Sequence, residues 1–575
     1  MMEKQTSGWT PPVRRNWGEL INLQNFLIAV LVITLTTTTL VPLCLLFSKA
    51  FFDKNAEFIG IYNFIKYFTT PSLAQSLWNT IWVSLLSTVI AVTLAFLYAY
   101  GISRTTIRGK AYLHYVAMLP LFEPTMMHGI ALTYLFGNQG IVTKGFFGLL
   151  PGGISIPIYG PVGIVISEVI YLFPQAFLIF ITALSITDQR LYEAAETLGA
   201  SKTKMFLTVT LPSVKYGLIS AIFVCFTACF TDFGAPQAIG GKFNVLATDI
   251  YKQVIGQQNM SMGATVGILL TIPAIIAFVV DRMVERKQRS MLSSKSTPYR
   301  INASKTRDTF YQLFGWIISI AILIPLVTIV CASLIKVWPY NLSFSFKHYD
   351  FSHVAGSGLD PFWTSLRVAF LTAIVGTFIT FLFAYLIEKS RHLNGLRQIG
   401  YFLSVLPLAL PGMVIGLAYI FFFNNPSNPL NWIYGTMIIL VLANITHFYG
   451  VPFITATTAL KKLDKEFELV AESMRVPFYK TLLKVTVPMC LPAIIEIAMY
   501  FFVNSMVTVS AVVFLRSADL NLAAVALVSM EDAGDVAAAA AMAVLIVITN
   551  IIVRLLYTLL SKNVRKKTEA WQVRK

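Results

Sequence analysis

Charge is what this chain has least of: Asp, Glu, Lys and Arg make up 12% of its 575 residues, about half the share of an ordinary soluble domain. With 56% hydrophobic residues alongside, that scarcity excludes a soluble globule and implies a polytopic membrane protein. The cysteines are also few. Cys44, Cys225, Cys229, Cys331 and Cys490 lie in or beside apolar runs without metal-type spacing, so neither a disulfide framework nor a zinc site is expected. No Gly-x4-Gly-Lys-Ser/Thr loop is present to cradle a nucleotide phosphate, and no His-Glu-x-x-His pair to hold a metal. The sequence thus carries no enzyme signature, no metal site and no cofactor of its own, and energy for any work must come from a partner.

What is abundant is long apolar runs, each of the roughly 20 residues that cross a bilayer as helix. The first set spans Phe26–Phe47, Trp78–Ile102, His114–Phe136, Val162–Leu184, Val214–Phe233 and Gly263–Val280; the second spans Leu313–Leu334, Trp363–Ile387, Tyr401–Phe423, Trp432–Phe453, Ile494–Phe514 and Ala537–Leu560. The expectation is an all-α membrane protein of twelve transmembrane helices. The net charge of +17 raises the question of nucleic acid, but 34 of the 44 Lys and Arg residues fall in or beside alternate inter-span segments and the two ends. By the positive-inside rule those segments and both termini are cytoplasmic, and the basic clusters face lipid headgroups rather than nucleic acid. The apolar run after residues 1–25 is too long for a signal-peptide core and has no clear small-x-small cleavage site, so it reads as an uncleaved first span.

The two sets are copies of one unit. Trp78–Tyr100 aligns without a gap to Trp363–Tyr385, ending in Phe96-Leu97-Tyr98-Ala99-Tyr100 and Phe381-Leu382-Phe383-Ala384-Tyr385; Leu119-Pro120-Leu121-x-x-Pro124 with Gly129 recurs as Leu406-Pro407-Leu408-x-x-Pro411 with Gly416. Six spans separate equivalent elements, so the copies run parallel, related by an axis along the membrane normal. The expected organisation is a cytoplasmic segment 1–25, a six-helix repeat 26–284, a polar linker 285–310, a second repeat 311–560 and a basic cytoplasmic tail 561–575. Pro120, Pro124, Pro407 and Pro411 leave backbone carbonyls that must be re-satisfied by protein or by a water-filled cavity; they suit a gated route or simple helix bending.

Between spans four and five of each copy lies a helix-turn-helix pattern. The first reads Asp188-Gln-Arg-Leu191-Tyr-Glu193-Ala194-Ala195-Glu196-Thr-Leu198-Gly199, then Val209-Thr-Leu211-Pro212; the second runs from Asp464 through Phe467, Val470, Ala471, Glu472, Met474 and Arg475 to Val485-Thr486-Val487-Pro488. In each, an Asp is placed to cap a helix with one apolar face. Gly199 suits a left-handed turn, and Glu193 and Glu196 offer charge-assisted contacts to basic groups on a partner. The first loop resembles the "EAA" signature of permeases of binding-protein-dependent ABC importers, with Val209 in place of the usual Ile. The second departs from it: Leu469 stands for Glu193, Val470 for Ala194 and Arg475 for Gly199, with Pro477 opening the second short helix.

The resemblance covers both repeats and implies the type-I ABC importer permease fold in the bacterial plasma (inner) membrane. It implies two short loop helices docking on a cytoplasmic ABC ATPase dimer, which uses the ATP, and an extracytoplasmic solute-binding protein. Fused permeases of this kind include those for ferric iron and for 2-aminoethylphosphonate. The segment Asp232–Gln253 is most similar to the aminoethylphosphonate group, making that solute the first expectation and ferric iron the second. An alternative of another class is a twelve-helix secondary transporter driven by an ion gradient.

Ionisable groups inside spans are functional candidates because charge in hydrocarbon is costly. They are Glu123, His128, Asp232, His447 and Glu496, with Gln175, Asn444 and Asn504 as uncharged polar residues. Glu123, His128, Asp232 and Asn504 are the candidates for a translocation route; the alternative for each is interhelical hydrogen bonding or snorkelling.

Overall fold

A computed structural model describes residues 23–569 apart from 54, 149–151, 291–296, 298, 354–357, 391, 392, 465, 475, 518 and 519. Nine of its helices are long and apolar enough to cross a membrane: Leu23–Lys49, Pro71–Arg104, Pro161–Ser185, Lys202–Thr231, Met260–Val284, Lys305–Leu334, Asp360–Lys389, Phe478–Val507 and Val536–Lys562. These are spans one, two, four to eight, eleven and twelve. Large apolar side chains such as Phe370, Phe378, Leu555 and Leu559 are exposed along them, the surface that lipid covers.

The other three apolar runs are not single rods. Span nine is Asn394–Ala409 followed by Gly412–Phe423, bent by 115°, and span ten is Met437–Phe448 followed by Gly450–Lys461, bent by 58°. Counting each bent pair as one span gives eleven. Span three lies in three pieces, Lys110–Ala117, Leu119–Phe122 and Thr125–Phe136. The expected all-α bundle is thus present with nine to eleven crossings that meet the length and composition requirement among the described residues, and proline supplies the reason for the breaks. A residue before proline is driven out of the helical region; Glu123 before Pro124 has φ −107° and ψ 137°, and Leu410 before Pro411 has φ −107° and ψ 124°. Both repeats therefore break at the same place, and in the first repeat the break carries Glu123.

Proline also shapes the middle of span one and the entry into spans five and eleven. Its ring clashes with the carbonyl four residues back, and in each case a wider π turn precedes it: Thr36–Leu40 before Pro42, Phe206–Thr210 before Pro212 and Leu482–Thr486 before Pro488. The N–H of Leu211 reaches back five residues to Phe206, and that of Val487 to Leu482. The second short helix of each loop pattern thereby runs into the span without a stop, so spans five and eleven begin at Lys202 and Phe478, earlier than their apolar runs at Val214 and Ile494.

The halves interlock. Span one packs against the pieces of span three's counterpart in the second half, Asn394–Val405 and Gly412–Phe423, while span seven packs against Lys110–Ala117 and Thr125–Phe136 of the first half. Tyr98 fixes this crossing from span two, its hydroxyl lying 2.8 Å from the Leu113 carbonyl and 2.9 Å from Ser319 Oγ. A smaller device is duplicated as well: the Leu246 N–H donates to Thr80 Oγ1 at 2.9 Å, and the Ala523 N–H to Ser365 Oγ at 2.7 Å. The one β element among the described residues is an antiparallel hairpin after span seven, Ile335–Val337 with Asn341–Phe344, a small addition to the all-α expectation.

Candidate functional site: a central cavity and two loop helices

The first loop helix is Gln189–Thr197, with the Asp188 carboxylate accepting from the Arg190 N–H at 3.1 Å. Gly199 follows at φ +69° with open space around the position of a Cβ, so it is the backbone conformation that requires glycine. Ser201 then caps the next turn through the Lys204 N–H. The apolar residues read as a docking face do point outward: Leu191 and Ala194 are exposed, Ala195 is half-buried and Leu198 is 86% exposed, with Glu193 and Glu196 exposed beside them.

The second loop helix, Glu466–Ser473, repeats this. Asp464 accepts from the Glu466 N–H at 3.1 Å, Val470 and Glu472 are exposed, Ala471 is half-buried and Met474 is 70% exposed. Arg475 lies outside the described residues, and Pro477 stands directly before the short helix Phe478–Thr481. Here a groove of about 380 Å³ opens between the loop and the foot of span eight, lined by Lys389, Glu468, Ala471 and Glu472 among others.

At the centre, the broken spans enclose a cavity of about 150 Å³. Three of the four residues proposed for a route, Glu123, Asp232 and Asn504, line it together with Gln175, His447, Thr125, Tyr171 and Ser510. The fourth, His128, is fully buried behind Glu123, its Nδ1 3.4 Å from the carboxylate. A second cavity of about 400 Å³ shares Tyr171, Gln175, Asp232, His447, Phe448 and Ser510 with the first and reaches Asp281 and Arg282 on span six. Asp232 also has a structural duty, accepting the Ala235 N–H at 2.9 Å at the start of helix Gly234–Ile239. Glu496 is exposed and outside the lining, and Asn444 is fully buried and also outside it. Among the described residues no group of three or more His, Cys, Asp or Glu is arranged to hold a metal ion.

Residues 91–290 and 376–566 each match the family described as binding-protein-dependent transport system inner membrane component. The chain belongs to this family, once in each half. Among curated relatives of this permease, a ferric transport system permease protein from Actinobacillus pleuropneumoniae is 28% identical over 479 residues, covering 80% of this chain and 67% of that one. A Haemophilus influenzae chain named "putative ferric transport system permease protein" is 29% identical over 463 residues, covering 78% of this chain and 71% of that one. A solved bacterial ABC transporter involved in import of the acidic polysaccharide alginate aligns to 48% of the permease and 99% of its own chain, at 17% identity and a TM-score of 0.39. Membership makes the chain a multi-pass transport permease of ABC importers rather than an enzyme, and sets aside the ion-gradient transporter.

The permease also holds residues that sequence reasoning passed over. Glu168 in span four is fully buried beside Asp232 and Cys229. A glutamate amid an apolar run was signal enough to find it. Arg104 and Lys389, at the ends of spans two and eight, occupy equivalent positions in the repeat. Arg104 is held by the Leu184 carbonyl at 2.8 Å and by Thr187 Oγ1. Lys389 is held by the Leu463 carbonyl at 3.2 Å and by Glu468 at 3.3 Å. Each cation clamps the foot of its span to the approach to a loop helix, a contact between distant segments that no local pattern announces.

Proposed function

We propose that this permease imports a metal cation, ferric iron foremost, through the central cavity, powered by a cytoplasmic ABC ATPase dimer that docks on the two loop helices and hydrolyses the ATP. An extracytoplasmic solute-binding protein delivers the cargo. The observation that carries the cargo class is the lining of the central cavity: Glu123 and Asp232 face it with uncharged polar neighbours, and no Lys or Arg is among the lining residues of the smaller cavity. Carboxyl groups in such an enclosure can give up their protons to a metal cation and ligate it with hard oxygen donors, while they offer an anion no positive partner. The names of the two relatives point the same way. A 2-aminoethylphosphonate cargo would bring a phosphonate anion against the same carboxylates and has no comparable support. The carboxylates then act as a field along a route rather than as a resident metal centre.

The docking role rests on exposed apolar residues at Leu198 and Met474, beyond the last turn of each loop helix and flanked by glutamates. Such patches on a charged face mark protein-binding surfaces. Both termini and both loops then face the cytoplasm, in line with the distribution of Lys and Arg. The test is reconstitution with an ABC ATPase and a solute-binding protein from the same organism, with uptake of radioactive iron and of 2-aminoethylphosphonate measured in parallel. ATP-dependent iron uptake is expected; phosphonate uptake without iron uptake would reverse the cargo assignment. Cysteine labelling at positions 193 and 472 from the outer side alone would overturn the docking geometry.

A further inference from the structure

We propose that the segment joining the two halves is a brace: Thr297, Tyr299 and Arg300 position the first loop helix and tie it to span seven of the other half. A tether would need only length and solubility. This segment instead makes directed bonds at the start of the loop helix. The Asp188 carboxylate that caps the helix also accepts from Thr297, at 2.9 Å from its hydroxyl and 3.3 Å from its N–H. The Gln189 N–H donates to the Thr297 carbonyl at 3.0 Å, and the Arg300 N–H donates to Gln189 Oε1 at 3.0 Å.

Tyr299 completes the attachment. Its ring meets Tyr192 of the loop helix edge to face at 4.9 Å, and the Arg104 guanidinium lies 4.0 Å from the Tyr299 ring centre and 5.7 Å from that of Tyr192. Arg104 is 3% exposed and holds the end of span four, so the stack joins four elements: span two, span four, the loop helix and the joining segment. A few residues on, the same segment becomes span seven and is pinned to the foot of span two, by Asp308 to Thr106 and by the Arg108 N–H to Gln312 Oε1 at 2.7 Å. Among the described residues, the equivalent place in the second half holds an ion pair in place of that stack. Lys389 stands for Arg104 and Glu468 for Tyr192, paired directly at 3.3 Å.

Force applied at the first loop is thereby delivered to both halves. Tyr299 and Arg104 are positioning residues, and the inference rests on the reading that an ATPase docks at these loops. Its test compares wild type, Tyr299→Ala and Tyr299→Phe in proteoliposomes with the ATPase and binding protein, recording retained ATPase, ATP hydrolysis and iron uptake on the same preparation. Tyr299→Ala is expected to retain the ATPase yet lose about fivefold in iron moved per ATP, the lower end of ordinary allosteric coupling, and Tyr299→Phe, which keeps the ring, to restore it. If Tyr299→Ala does not accumulate in the membrane, Arg104→Lys, which keeps the charge and loses the planar stack, is expected to give the same fall. A wild-type ratio in Tyr299→Ala or Arg104→Lys would overturn the brace. Failure of wild type to retain the ATPase would instead overturn the docking reading, and the brace with it.

Discussion

The two halves share a backbone and differ in charge. The proline breaks at Glu123-Pro124 and Leu410-Pro411, the π turns before Pro212 and Pro488, and the hydroxyl contacts of Thr80 and Ser365 all occur twice. The buried acids of the first half do not. Carrying the repeat register forward, Glu123 is matched by Leu410, Glu168 by Asn444, Asp232 by Thr508 and Asp249 by Ala526. Devices that set the path of the chain are required of each half by geometry. On the proposed reading of the cavity as a route, charge is needed there only once, because one carboxylate reaches across a cavity of about 150 Å³ as well from either wall. The first kind of feature is therefore present in both halves and the second in one.

Substituting Asp232 by Thr, the residue its own counterpart carries, is the sharpest attack on that contrast. Threonine can still cap the following helix, so membrane insertion and ATPase retention should persist while iron uptake falls about a hundredfold, as expected for losing a unit charge near a cation in a low-dielectric cavity. If Thr508→Asp in the same chain restores uptake, acidity matters but its side does not.

A smaller effect is expected at the loops. Gly199→Val forces a branched residue into the left-handed region at a cost of about 1–2 kcal/mol, in open space where nothing else changes, and should lower coupled transport about tenfold; Gly199→Asn should remain close to wild type. Glu193→Ala is expected to reduce co-purified ATPase about threefold, and Leu469→Ala, at the matching position, to leave it unchanged. Equal losses would show that the loops dock alike despite their sequences.

Lys389→Met probes the second clamp alone. It leaves Glu468 half-sheltered without its cation and the Leu463 carbonyl without a donor, a loss of about 2 kcal/mol to be read as a lower melting temperature in detergent.

The mildest response is to acid. The Arg190 N–H and the Thr297 hydroxyl hold the Asp188 carboxyl below the usual aspartate range. Its contribution is present at and above that range and is lost as pH falls through the lowered value. Proteolytic nicking near Gly199 should therefore rise on strong acidification, and Asp188→Asn should flatten that dependence.

Much of this was legible in the chain because it is local. Asp188 and Asp464 announce caps, Gly199 a left-handed turn, and the matched runs around Trp78 and Trp363 a parallel repeat. Apolar length, by contrast, records that lipid or protein surrounds a segment and not whether it is straight. Pro124 and Pro411 announced a bend in spans three and nine, but not its size. The cavity was half legible: Glu123, Asp232 and Asn504 stand out as polar residues in apolar runs, but their meeting depends on how the breaks fold back. The stack of Arg104, Tyr192 and Tyr299 joins residues as much as 195 positions apart, and nothing in their neighbours encodes it.

The π turns have a mechanical consequence. Because they let the loop continue into the membrane as one helix, Lys202–Thr231 and Phe478–Val507 are stiff levers, each of 30 residues and so roughly 45 Å long. One end of each carries the loop; the other stops next to a wall of the cavity, at Asp232 and Thr508. A tilt of about 5° around the midpoint carries each end about 2 Å in opposite directions. That is enough to change which atoms a small ion can touch, so a modest swing on the loop side becomes a change of ligand environment at the far end without any helix having to unwind.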